Sequence, residues 1–269
     1  MNRLLPLVAL VSLVAAACGS PGVLPLVTSD DDAAILRVED VGGFVPIEYT
    51  ISQGPRYVLS GGRELISLGP QIMIYPGPML PNYQTVQLGE DDLDLILEAV
   101  VATGLPGFEE KRDTTASSFV ADAATTVVTF SDSQGDHVFA VYALGISEFA
   151  DPQVQALEDL IALLDELAVS GPSADYETDR VQVVAREGEP EEPDFAVVKP
   201  WPVEPTPGEF EQPVEGVGCE VFEGAEGEML LDEFGQSHQL TYFEADETTY
   251  WVLPRPLLPG ESGCVVSVA

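Results

Sequence analysis

Two histidines, three cysteines and 46 carboxylates are the side chains of this chain with the most scope for chemistry. A serine or cysteine nucleophile needs a general base within hydrogen-bond reach, ordinarily a histidine. His137 lies in an alternating stretch beside a turn, and His238 between a helical pattern and a hairpin; neither has a partner at a recognisable spacing. The chain contains no G-x-S-x-G elbow, no S-x-x-K and no H-E-x-x-H. Two separated histidines and scattered cysteines do not compose a tetrahedral zinc set. Calcium needs only oxygen ligands, and "DSQGDH" at 132–137 sets two aspartates around a glycine, but the distal glutamate of an EF-hand loop is missing. The stretch is expected to be a hairpin turn. No pair among the carboxylates is singled out for glycosidase work. The expectation is therefore no catalytic residue, no metal and no cofactor.

The cysteines say more. "VAAACGS" at 14–20 ends an apolar run that begins after Arg3, and Gly19, Ser20, Pro21 and Gly22 follow at once. A basic start, a short apolar stretch and small residues before a cut site make a secretory signal over residues 1–17. The stretch is shorter than the roughly 20 apolar residues that a membrane span requires. The run resembles a bacterial lipobox, with Ala15 where leucine is usual and Cys18 as the lipid-modified first residue. Cys219 and Cys264 can pair in an oxidising compartment, which leaves Cys18 as the odd thiol that a lipid would account for. Diacylglycerol brings two chains, enough for stable anchoring where one chain binds only reversibly. Residues 18–33, ending in consecutive aspartates, read as a flexible tether.

Acidic residues outnumber basic ones 46 to 10, for a formal charge of −36. Nucleic acid is excluded as a partner, because its binding needs basic side chains opposite the phosphates. An anionic bilayer also repels such a surface, so the anchor must hold the body off. With 45% hydrophobic residues the chain has ample material for a core.

The elements that would position any site follow from periodicity. Residues 35–41 read as a strand, and "RYVLSGGRELIS" as a hairpin whose positive φ comes from Gly61-Gly62. "GEDDLDLILEAVVATGLPG" reads as a helix with acids at its positive end, an apolar face of Leu93, Ile96, Leu97 and Val100, and a stop at Gly104 and Pro106. "TTVVTFSDSQGDHVFAVYALG" then alternates about a polar turn. A second helix starts at Asp151-Pro152, with Val154, Leu157, Ile161 and Leu164 on its buried face. These two strand-strand-helix units predict an α+β lobe over 34–172, an antiparallel sheet built from hairpins with two or three helices packed on one face. Residues 173–269 are expected to form a proline-rich connector plus a disulfide-closed C-terminal lobe packed with the first. There "RVQVVAR" reads as a strand, 187–218 as a connector or an extended wrap, 225–234 as a helix, and "QLTYFEADETTYWVLPR" as a last hairpin.

Two stretches combine proline with aromatics, a composition suited to recognition because little entropy is lost on docking. They are "MIYPGPMLPNY" at 73–83 and "KPWPVEPTPGEF" at 199–210, with Tyr75 and Trp201 as candidate partner-binding residues. Four phrases, "RVEDVGGFVPIEY" at 37–49, "IYPGPMLP" at 74–81, "VADAATTVVTF" with "VYALG" at 120–145, and "RPLLPGESGC" at 255–264, resemble an actinobacterial family of secreted lipoproteins of unknown function. The resemblance implies an envelope lipoprotein and a shared fold, and brings no catalytic residue; this chain departs from the family at Gly260, where an acidic residue is usual. The resulting expectation is a lipid-anchored protein on the extracytoplasmic side of the cell membrane that binds an envelope protein, a wall component or a ligand. The rival expectation is an envelope hydrolase that uses carboxylates, with or without calcium.

Overall fold

The computed structural model describes residues 33–105, 120–146 and 151–265. The signal segment, Cys18 and all but the last residue of the tether lie outside them. The fold is α+β, as the hairpins and helical patterns predict, but among the described residues it has two sheets and four α-helices where one sheet was expected.

The first sheet runs β6-β5-β1-β2-β3-β4-β7 and is antiparallel throughout. Its strands are β1 (Ala34–Gly42), β2 (Tyr57–Ser60), β3 (Glu64–Leu68), β4 (Tyr83–Gln87), β5 (Ala124–Asp132), β6 (Gly135–Tyr142) and β7 (Ser173–Asp175). Helices α2 (Glu90–Ala102) and α3 (Pro152–Leu167) cover one face, and α1 (Ile47–Ser52) leaves this sheet for the other. Both long helices begin as the sequence predicts. Asp92 accepts from Gly89 N at 3.0 Å, and Asp151 accepts from Gln153 N at 2.9 Å with Pro152 in the first turn. The spacing of three and four places Leu93, Ile96, Leu97 and Val100 with Val154, Leu157, Ile161 and Leu164 in one core, against Leu36, Val38, Leu59 and Phe130 of the strands.

The β2–β3 hairpin forms, but the left-handed residue of its turn is Arg63 at φ 65° rather than either glycine. Gly61 N instead donates to Ala33 O, which ties the turn to the start of β1. The strand after the expected break at 172 also belongs to this sheet, because β7 pairs with β4.

The second sheet runs β10-β11-β8-β13-β12-β9. It comprises β8 (Val181–Glu187), β9 (Val197–Pro200), β10 (Glu211–Val214), β11 (Val217–Phe222), β12 (Thr241–Ala245) and β13 (Thr248–Pro256), with α4 (Gly224–Gly235) on one face. The proline-rich stretch is thus the extended wrap: β9 and β10 are the two edge strands, and β9 pairs parallel to β12. Edge positions tolerate prolines because one side of the strand makes no ladder bonds.

Period two explains how β8 serves two layers. Val181, Val183 and Ala185 face the α4 core with Phe222, Leu230, Phe234 and Phe243, while Val184 faces Ile51 of α1 and Cys219. Gln182, on that second side, is 1% exposed; its Nε2 donates to Ile51 O at 2.8 Å and its Oε1 accepts from Cys264 N at 2.7 Å. One side-chain amide therefore joins α1, β8 and the segment beyond β13. Cys219 and Cys264 are bonded, with Cα atoms 5.6 Å apart. On the far face of the first sheet Val58 and Ile66 meet Tyr83 and Leu258. This second burial explains why β2 is an unbroken buried run rather than an alternation.

Candidate functional site

His137 lies on β6 just after the β5–β6 turn, and His238 makes an isolated bridge with Pro78. In the β5–β6 hairpin Asp132 accepts from Gln134 N at 2.7 Å and lies 3.1 Å from His137 Nε2; these contacts, the backbone one first, hold its carboxyl below the usual range. Asp136 accepts from Ser131 Oγ at 2.6 Å. Both aspartates of "DSQGDH" are thus occupied in the turn itself. His238 Nδ1 accepts from Leu240 N at 3.2 Å, and its own N–H donates to Thr241 Oγ1 at 3.2 Å. Among the described residues no three of His, Cys, Asp and Glu are grouped so as to hold a metal ion.

Trp201 is half-buried and packs against the α4 core. Its ring packs 5.6–6.3 Å from those of Phe210, Phe222, Phe234 and Phe243, and its Nε1–H donates to Pro205 O at 3.0 Å. The apolar face of α4 needs a partner, and the proline-rich wrap delivers the indole to it. Tyr75 has the opposite fate: it stands exposed, beside Phe195 and hydrogen-bonded to Glu192.

Tyr75 lines, with Pro46 and Tyr49, a shoulder of a cleft between the two sheets. Two loops that reach the cleft through Val45, Pro46 and Pro81 form its rim. Gly43–Pro46 carries Phe44, 87% exposed, and Val45; the other, 69–82, carries Ile72, Met73 at 98% exposed, and Ile74. From Leu65 to Gly89 the chain has no charged side chain, in a protein with 46 acids. The rim is thus both apolar and neutral. Below it lies a groove of about 810 Å³, walled by Val45, Pro46 and Tyr49 on one side and Leu68, Pro81 and Tyr83 on the other. Burial, and for Tyr57 its hydrogen bond to Asp165, pushes the Tyr57 and Tyr83 phenols up to about 12. Both are neutral near pH 7. A shoulder of the cleft holds Tyr49 against Trp251, ring centroids 5.9 Å apart, with Arg186 over the indole and 2.9 Å from Glu48.

Beyond the groove, and sharing Asp40, Gln53, Gly54 and Arg255 with it, is a polar cavity of about 230 Å³. Arg255 and Glu261 form a two-pronged pair at its wall, 2.7 and 2.9 Å long, and Glu261 also accepts from Leu258 N at 2.8 Å. Arg37 and Glu39 come from β1, their ionic atoms 3.1 Å apart. Asp40 accepts from Thr126 Oγ1 at 2.7 Å. Residues of "RVEDVGGFVPIEY" and "RPLLPGESGC", more than two hundred positions apart, meet here. Two glycines permit the approach. A Cβ on Gly54 would lie 2.3 Å from the Tyr83 hydroxyl, and one on Gly260, at φ +77°, 2.9 Å from Ala34 Cβ. The backbone at 260 therefore suits glycine, and the acid next to it, Glu261, is the one bound to Arg255.

No family model, curated protein or solved structure matches this chain. The site is accordingly read from its own chemistry. Its carboxylates are engaged: Glu261 by Arg255 and a backbone N–H, Asp40 by Thr126. Burial, the largest influence on Glu39, together with Glu261 raises the Glu39 pKa above its ordinary 4.5, against the pull of Arg37 and Arg255. The folded state then binds this proton more tightly than the unfolded chain. The cost of ionising Glu39 is absent below the unfolded pKa, grows as pH rises through the window above it, and is complete above the folded pKa. Glu39→Gln is therefore expected to raise the thermal midpoint at about pH 7 and to give no gain at about pH 3. Melting curves at the two pH values check this, and an equal effect at both would contradict it.

The sequence pointed to the 73–83 loop, but not to Phe44 and Val45 or to the Arg37, Glu39, Arg255 and Glu261 set. A usable signal was present in each case. The charge-free run marks the rim, and an arginine inside "WVLPRPLL" marks a buried ion pair, since a lone charge in an apolar strand requires a partner.

Proposed function

We propose that the chain is a lipid-anchored, extracytoplasmic binding module, held to the membrane through Cys18 and recognising an envelope component through the cleft between its sheets. The observation that carries this reading is the groove: Val45, Tyr49 and Leu68 stand exposed along it, and exposed Tyr75 and Ile72 line neighbouring pockets that share Pro46 and Tyr49, and Pro81 and Tyr83, with it. Contiguous exposed apolar surface of this kind marks interaction sites, whereas single exposed apolar residues need no explanation. The anchor is supported by the signal-like start and by the cysteines, since the Cys219–Cys264 bond leaves Cys18 as the remaining thiol. Among the described residues no helix is long and apolar enough to cross a membrane.

Two measurements test the reading. Detergent-phase partitioning of protein from a lipoprotein-processing host should place the wild type in the detergent phase and the Cys18→Ala variant in the aqueous phase; wild type in the aqueous phase rejects the anchor. For the rim, a photo-crosslinking residue at Tyr75 should give a defined adduct in native envelope. Adding Phe44→Asp and Met73→Asp should abolish that adduct while changing stability by no more than about 0.5 kcal/mol, the usual scale at exposed positions. An adduct indifferent to both charges would reject the rim.

A further inference from the structure

The rim leads into a cleft whose polarity changes along its length, and that gradient says more about what it holds. Its outer part, about 810 Å³, falls within the range of roughly 300–1,000 Å³ typical of small-molecule sites. Its walls are largely aliphatic and aromatic, with two neutral phenols, and its charged members are Asp40, Arg255 and Arg56, the last paired with Asp165. The inner part, about 230 Å³, is walled by Thr50, Gln53 and the four charged side chains Arg37, Glu39, Arg255 and Glu261. Arg255 stands where the two parts meet and is only 5% exposed. Two of its nitrogens are held by Glu261, but its buried Nε–H has no hydrogen-bond acceptor among the described residues. The Nε–H of Arg37 is likewise without an aligned acceptor, although Glu39 lies 3.1 Å away. Those two nitrogens are closed off from the cavity, but Thr50, Gln53, Ser262 and the charged side chains line it with donors and acceptors, so the inner wall suits an oxygen-bearing group.

The charge of that wall decides which kind. Two guanidinium groups share the cavity with the three carboxyls of Glu39, Asp40 and Glu261, so no positive charge is in excess. A carboxylate or phosphate entering the cavity would meet those acids with no unpaired cation to receive it. An uncharged hydroxyl or ester group offers acceptors and meets no such repulsion.

We infer that the inter-sheet cleft binds an amphipathic molecule with an uncharged, oxygen-rich head, placing the head in the polar cavity beside Arg255 and Arg37 and the apolar chain in the groove beneath Val45, Tyr49 and Leu68. The inference rests on the reading of this cleft as a binding site, and it names the ligand class. Chain burial supplies the drive, in proportion to the apolar area removed from water. The wall supplies the selectivity, by rejecting anionic heads.

Titration calorimetry of the soluble Cys18→Ala protein with 1-monolauroylglycerol, below the concentration at which that amphiphile forms micelles, tests this. One site per chain is expected. Laurate, with the same chain and an anionic head, should bind at least about tenfold more weakly, a difference of about 1.4 kcal/mol. Glycerol alone should not bind. Leu68→Asp, at an exposed groove position, should weaken monolauroylglycerol about tenfold or more, Thr50→Val should narrow the preference over laurate, and Leu95→Asp on the exposed face of α2 should change nothing. Non-saturating uptake, laurate binding as tightly as monolauroylglycerol, or indifference to Leu68→Asp overturns the inference. If monolauroylglycerol does not bind while the Tyr75 crosslink forms, the ligand class is wrong and the binding module stands. If neither occurs, both fall.

Discussion

Arg255→Ala should lower the unfolding free energy by about 3–5 kcal/mol, the usual cost of removing one partner from a buried ion pair. The side chains of Arg255 and Glu261 are 6% and 8% exposed, and the two hydrogen bonds between them are the main compensation for taking both charges out of water. Without the guanidinium, Glu261 keeps only the Leu258 N–H, and its carboxylate is left desolvated beside Glu39. The effect is not one of lost packing alone, and a second variant separates the two. Arg255→Met with Glu261→Gln removes both charges, roughly keeps the volume and leaves an acceptor for Leu258 N, so it should recover at least half of the loss. Urea unfolding followed by circular dichroism measures all three proteins. A single variant within about 1 kcal/mol of wild type, or a double variant no better than the single, would show that the pair is not what holds this corner together.

The same corner shows what sequence can and cannot convey. Local patterns were legible because they obey local rules. The Leu93 to Val100 face, the Asp151-Pro152 start and the turns of the β5–β6 and β12–β13 hairpins each depend on residues within a few positions of one another. Asp246 and Glu247 even take the two left-handed positions of the last turn, at φ 48° and 65°. The cleft depends on pairings between distant segments. Nothing local sends α1 from between two strands of the first sheet to the face of the second, where Ile51 O meets Gln182. Nor does any local pattern place β1 between β2 and β5, which brings Arg37 and Glu39 opposite the segment beyond β13. Tyr75 and Trp201 make the same point, because both sit in proline-rich stretches with aromatics and only the tertiary environment distinguishes them. The α4 face with Phe222, Phe234 and Phe243 leaves an apolar gap that an indole fills, while the loop around Tyr75 crosses between sheets with no such face beneath it.

The Cys219–Cys264 bond closes the other side of the cavity, and its removal is the second large effect expected. With a sequence separation of 45, loop-closure entropy in the unfolded chain gives a stabilisation of about 4 kcal/mol. For a protein of this size roughly 2–4 °C accompanies each kcal/mol, so reduction should lower the melting temperature by roughly 10 °C. Cys219 is 2% exposed, packed with Ile51, Val184 and Val217, so reduction should be slow until the structure opens. The consequence is local as well as global, because Gly260 to Gly263 line the polar cavity immediately before Cys264. The segment would then be held by the Gln182 contact to Cys264 N and by the bonds of Arg255 and Arg180 to Glu261. Cys219→Ser with Cys264→Ser should therefore weaken ligand retention by more than the loss of folded protein explains, at a temperature where the variant is still folded. Melting curves with and without reductant, together with titration of monolauroylglycerol into the double variant, measure the two parts separately. A melting temperature unmoved by reductant, with both thiols then alkylated under denaturing conditions, would show that the bond contributes little. Unchanged affinity in the folded variant would show that the cavity wall is held by Gln182 and Glu261 without it.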